Sequence, residues 1–143
     1  ACHDAINDYR TDLGREELTF DKKLYDIARS YAQRMAEEDF YGHEDPQGRG
    51  FEYRYQQAGY QCDAAGYTGA ENIQETWFLE SISKDNGETA YYSTPEEVGV
   101  GTANGWIDSP PHRENILLDV WNGQGVGFAI TDENKVYAVQ NFC

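Results

Sequence analysis

A chain of 143 residues with 39% apolar and 14% aromatic side chains is long enough and apolar enough for one folded domain with a proper core, which argues against disorder. Its 26 acidic residues against 11 basic ones give a net charge of −15, a field that repels phosphate backbones and anionic lipid surfaces and so argues against nucleic acid as a partner. No apolar run approaches the roughly 18 residues of a membrane span, and the start, Ala1-Cys2-His3-Asp4, carries no basic and apolar leader, so a soluble, already trimmed, monomeric piece is expected.

Lysine occurs only at Lys22, Lys23, Lys84 and Lys135. A surface so acidic and lysine-poor suits concentrated salt, where self-repulsion is screened, and a halophilic source is expected; an ordinary acidic secreted domain is the plainer alternative. Three cysteines leave one unpaired, and none sits in a zinc-finger spacing. Cys2, at the start of an amphipathic helix, fits a buried free thiol. That points to Cys62–Cys143 as the bridge in an oxidising compartment, although the spacing alone leaves the pairing open.

From His3 to Asp12 the residues Ala5, Ile6, Tyr9 and Leu13 recur at helical spacing, and Leu13-Gly14 ends the helix. Leu18 and Phe20 read as a short buried link. Asp21 then caps a second helix running to about Glu38, with Leu24, Ile27, Ala28, Tyr31 and Met35 on its apolar face. Phe40 to Gly50 is rich in turn formers yet carries aromatics and His43, a pattern suited to a surface loop that bears function. Phe51, Tyr55 and Ala58 predict a short helix ended by Gly59, and Gln61 to Ala70 reads as coil.

Glu71 to Trp77 alternates as a strand, with Glu71 on the same inward face as Ile73. Lys84 to Ser93 reads as an exposed, aperiodic insertion. Thr94-Pro95-Glu96-Glu97 is a capping box opening a helix to about Asp108, weakened by Gly99, Gly101 and Gly105. After Leu118 the pattern predicts a turn at Asn122-Gly123, a strand from Gly125 to Thr131, a second turn, and a last strand from Lys135 to Phe142. Tyr53, Tyr55, Tyr60, Tyr67, Tyr91 and Tyr92 cluster mid-chain and read as half-buried filler, with an adhesive contact surface as the alternative.

The stretch from Gly105 to Leu117 gathers a tryptophan, a helix start and a histidine. Ser109 before Pro110-Pro111 is an N-cap in sequence form. Because the prolines lack N–H groups, the backbone N–H of His112 is the expected partner of the serine hydroxyl. Such a histidine is held rigidly at the mouth of a short helix, where it serves either a site or only the cap.

Six motifs in order then resemble the CAP superfamily of cysteine-rich secretory proteins, antigen 5 and plant pathogenesis-related 1 proteins, especially its prokaryotic and haloarchaeal branch. They are Ile6-Asn7-Asp8-Tyr9-Arg10, Gly42-His43, Gly69-Ala70-Glu71-Asn72-Ile73, the stretch Gly105 to Leu117, Gly125-Val126-Gly127, and Tyr137 to Phe142. The resemblance implies a single α+β domain over residues 1–143, a three-layer α-β-α sandwich with a mainly antiparallel sheet and an open cleft. It implies that His43, Glu71 and His112 occupy three of the four cleft positions that carry two histidines and two glutamates in many members. At the fourth this chain has Asp108-Ser109.

The expectation is a secreted binding module whose cleft takes zinc or another divalent cation, or a small-molecule, lipid or protein ligand. His43, His112 and Glu71 would be the metal ligands, with Ser109, Asp108, Glu44 and Asn72 lining or orienting the cleft. A metal-dependent hydrolase using Glu71 or Glu44 as base, and a purely structural or adhesive domain, are the alternatives.

Overall fold

The computed structural model describes residues 1–78, 81–83, 86–87, 89–91 and 94–143. Among them the helices are α1 (Cys2–Asp12), α2 (Lys22–Glu38), α3 (Phe51–Gln57), α4 (Pro95–Asp108) and α5 (Pro110–Leu117). The strands are β1 (Thr19–Phe20), β2 (Ala70–Trp77), β3 (Ser81–Ser83), β4 (Thr89–Tyr91), β5 (Gly123–Ile130) and β6 (Lys135–Phe142). The main sheet has the order β1-β5-β6-β2; every pairing is antiparallel except the short parallel β1–β5 pair.

Helix α2 covers one face of this sheet. Its apolar stripe of Ala28, Tyr31, Ala32 and Met35 packs on Ile73, Ala129, Tyr137 and Val139. The other face packs Ile6 of α1, Ala103 and Trp106 of α4 and Ile116 of α5 on Ala138 and Phe142. The result is the three-layer sandwich that the resemblance implies. Asp21 caps α2 by accepting from the backbone N–H groups of Lys23 and Leu24, and Thr94 caps α4 through the N–H of Glu97.

The alternation Gly125-Val126-Gly127 gains a physical reason here. A β-carbon at Gly125 would lie 2.0 Å from the Tyr25 nitrogen, and one at Gly127 2.3 Å from the Arg29 nitrogen. Helix α2 therefore rests directly on the backbone of β5, an approach that only glycine permits. The last strand is anchored by the Cys62–Cys143 disulfide, while Cys2 is free and buried.

Strand β2 lies at the sheet edge, but side chains cover its carbonyls: Tyr55 donates to Ala70, Asn115 to Glu71 and the Trp106 indole to Ile73. Helix α5 has only eight residues and is pinned at its C-terminal end by arginines. Arg10 donates to the carbonyls of Ile116 and Leu118, and Arg15 to that of Leu117. These bonds satisfy groups that a helix end otherwise leaves open.

Several expectations are corrected. Leu13 is 49% exposed, because Arg10, reaching α5 from inside the core, takes the buried place on α1 and the helix ends at Asp12. Phe20 is 54% exposed and packs on the half-buried rings of His3 and Tyr25. Asn122-Gly123 is the entry to β5 rather than a free turn, since both N–H groups donate to the Cys143 carbonyl and Gly123 pairs with Thr19. Within the expected insertion, Thr89–Tyr91 forms strand β4 against β3. Lys84, Asp85, Glu88, Tyr92 and Ser93 lie outside the described residues, as does the Tyr91 side chain. Of the remaining tyrosines in the cluster, Tyr55 is buried, Tyr60 partly so, and Tyr53 and Tyr67 are exposed.

Candidate functional site

His43 comes from the loop after α2, Glu71 from the start of β2, and His112 from the first turn of α5. The loop is built around Asp45, whose carboxylate is shut from water. It accepts from the backbone N–H groups of Gln47 and Arg49 and from the side chains of Arg34 and Arg49. Burial alone would raise its pKa. The bonds from Arg49, Arg34 and Gln47 outweigh burial and hold the carboxyl well below the usual range. Tyr31 of α2 donates to the Gly42 carbonyl, fixing the residue before His43.

His43 Nδ1 lies 3.1 Å from Glu71 Oε1. A carboxylate only accepts, so Nδ1 carries the hydrogen and Nε2 of the neutral ring keeps its lone pair. The His43 side chain is 54% exposed, whereas that of Glu71 is 1% exposed. Glu71 Oε2 accepts from Arg54 Nη2 at 2.6 Å and from Asn141 Nδ2 at 3.0 Å. Arg54 stacks on the Tyr31 ring with its guanidinium carbon 3.4 Å from the centroid, and it also donates to the His43 carbonyl. Glu71 thus stands behind His43 as its orienting partner, with both oxygens engaged.

His112 is held in a parallel way. Its Nδ1 lies 2.8 Å from Ser109 Oγ, and its carbonyl accepts from Asn72 Nδ2 at 3.2 Å. This corrects the expected cap: Ser109 is the N-cap residue, but its hydroxyl meets the imidazole that folds back over the helix mouth, not a backbone N–H. The pKa of His112 is lowered, first by burial and then by the charge of His43.

The structure therefore brings Glu71 against His43 and holds His112 through Ser109 and Asn72. Glu44 and Asp108 are exposed and stand outside this hydrogen-bonded set. Among the described residues no three His, Cys, Asp or Glu side chains converge as a ready ligand cage. A groove of about 970 Å³ lies elsewhere, between α3 and the Cys62 segment.

Arg54, Asn141 and Asn115 carry much of the site, and none stands out from local pattern. The one signal for Arg54 is Glu71 itself, because an acid on an inward face needs a cationic partner.

The chain matches the sequence profile of the cysteine-rich secretory protein family, CAP, over residues 3–142. Its fold is similar to that of an extracellular protein containing an SCP domain from Bacillus anthracis, with TM-score 0.73 and 23% identity over 99% of this chain and 38% of that one. An outer surface protein of Borrelia burgdorferi gives TM-score 0.68 and 20% identity over 98% of this chain and 86% of that one. A cysteine-rich secretory protein of Staphylococcus aureus gives TM-score 0.60 and 17% identity over 99% of this chain and 36% of that one. The chain thus spans well under half the length of the Bacillus and Staphylococcus proteins. No curated protein matches it in sequence.

Proposed function

Because the chain belongs to the cysteine-rich secretory protein (CAP) family, we propose that it is an extracellular binding domain whose cleft takes a divalent cation such as zinc on His43 and His112. The observation that carries this reading is the matched anchoring of the two rings: Glu71 holds Nδ1 of His43, and Ser109 holds Nδ1 of His112. With Nδ1 of His43 donating to the Glu71 carboxylate and Nδ1 of His112 donating to the Ser109 hydroxyl, Nε2 of each ring is the nitrogen offered to a ligand, and an oriented neutral imidazole is a good zinc donor. A bound cation supplies a positive centre for oxygen ligands of a partner.

The donor set fits such an ion with two protein ligands rather than three. Glu71 already accepts from His43, Arg54 and Asn141, so it serves as an orienting group behind His43. The same engagement weighs against the hydrolytic reading with Glu71 as general base, and binding is expected to be weak and reversible. An extracellular setting is supported by the extracellular Bacillus and outer-surface Borrelia relatives and by the Cys62–Cys143 disulfide.

Calorimetric titration of zinc into the wild type, His43→Ala and His112→Ala at pH 7.5 tests the proposal. Binding heat in the wild type that each substitution abolishes supports it. Equal heats in all three proteins would leave the cluster a structural one.

A further inference from the structure

The histidine outside the cleft, His3 of α1, stands at the end of a buried ladder of amides that starts at α5. Asn115 Nδ2 donates to Asn72 Oδ1 at 2.9 Å, and Asn72 Nδ2 donates to Gln140 Oε1 at 3.0 Å. Gln140 Nε2 donates to Gln124 Oε1 at 2.7 Å, and Gln124 Nε2 lies 3.0 Å from His3 Nδ1. Asn72, Gln140 and Gln124, on β2, β6 and β5, are each 0% exposed. Three fully buried amides are costly unless every end is partnered.

We propose that His3 is an acid-sensitive latch on the cleft, acting through this ladder on the segment that carries His112. An amide has one donating and one accepting end, so the ladder can point in only two directions. The His112 carbonyl, which can only accept, selects one of them by drawing the amino group of Asn72. Every later rung then follows, and Gln124 presents an N–H to His3. Two amino groups face the ring, and that of Gln124 at 3.0 Å is nearer than that of Asn7 at 3.3 Å, so the neutral ring keeps its one lone pair on Nδ1 and its proton on Nε2.

Protonation puts an N–H on Nδ1 as well, donor against donor. Reversing the three amides would relieve that contact only by turning Asn72 Oδ1 onto the His112 carbonyl, acceptor against acceptor. Asn7 gives no relief. It is clamped to Leu18 by bonds of 2.8 and 2.9 Å, so it too turns its amino group to the ring, 3.3 Å from Nε2. His3 meets Asn7 of α1, Phe20 of β1 and Gln124 of β5, and α4, with Glu96 and Glu97 in its first turn, packs on the start of α1 through Gly99. Phe20 of β1 and Gln124 of β5 are uncharged, and the charged groups beside it on α1 are the N-terminal ammonium and Asp4, which pair with each other at 3.8 Å. Histidine is the side chain whose charge changes in the mildly acidic range. On acidification the ladder therefore gives way at one end, and α5 loosens from β2.

Long-range proton–nitrogen spectra of the wild type at pH 7.5 should show His3 protonated on Nε2. A ring proton on Nδ1 overturns the latch, whatever the variants do. Hydrogen exchange of the α5 amides, corrected for intrinsic rates, is then compared at pH 7.5 and 5.5. The wild type should lose protection about tenfold, and His3→Gln and Gln124→Leu, which cut the latch from the ladder, should lose clearly less. An equal loss in all three would assign the effect to His112 itself, and an unchanged wild type would remove it; either result overturns the proposal. No cation is present in any arm, so the latch and the zinc reading stand or fall separately.

Discussion

Arg54 Nη2 lies 2.6 Å from Glu71 Oε2, with the side chains 11% and 1% exposed. The bond joins α3 to the edge strand at the point where His43 needs its orienting carboxylate. Removing the cation leaves a buried charge uncompensated, so Arg54→Met should destabilise the fold by about 3–5 kcal/mol. Adding Glu71→Gln should recover part of that loss. Urea unfolding of the two single variants and the double variant checks this, and additive losses would deny the coupling.

At Gly125 an added methyl meets backbone atoms of α2 that cannot swing aside. Gly125→Ala should therefore cost about 3 kcal/mol or more, as severe overpacking does. Gly50→Ala, where a β-carbon has open space at φ −89°, should change stability by less than about 1 kcal/mol. Thermal melts of the pair test whether the helix–strand approach sets the requirement.

Stability should fall in two acid windows. Burial and the charge of His43 depress the pKa of His112, so the unfolded chain binds that proton more readily. The His112 contribution is present above the ordinary histidine value of about 6.5 and is lost as pH falls through the lower folded value. Asp45 is also depressed, so its contribution is present above about 3.9 and lost on further acidification. Urea midpoints from pH 8 to 3 should show both declines, and His112→Gln should weaken the first while leaving the second unchanged.

With a net charge of −15, surface repulsion should make the protein more stable in molar potassium chloride than in dilute buffer. A melting temperature that stays flat or falls with salt would speak against a surface suited to concentrated salt.

Local pattern carried much of this fold because local chemistry decides it. Asp21 and the stripe from Leu24 to Met35 define α2 from cap to last turn, the capping box at Thr94 opens α4, and the place of Cys2 on an amphipathic helix leaves Cys62 and Cys143 for the observed bridge. What pattern missed depends on contacts distant in sequence. Whether Leu13 or Arg10 is buried on α1 turns on the α5 carbonyls. The Ser109 hydroxyl meets a ring in place of a backbone N–H because His112 folds back over its own cap. At the site the motifs named His43, Glu71 and His112. The role of Glu71 as an orienting group became visible only with Arg54 and Asn141 on its second oxygen.

The most direct test of the two-histidine cleft is a zinc titration of nitrogen-labelled protein at pH 7.5, followed through the imidazole nitrogens. Nε2 of His43 and of His112 should shift together and saturate at one equivalent, with His3 unmoved. Zinc that shifts only one of the two rings, or neither, would contradict the account.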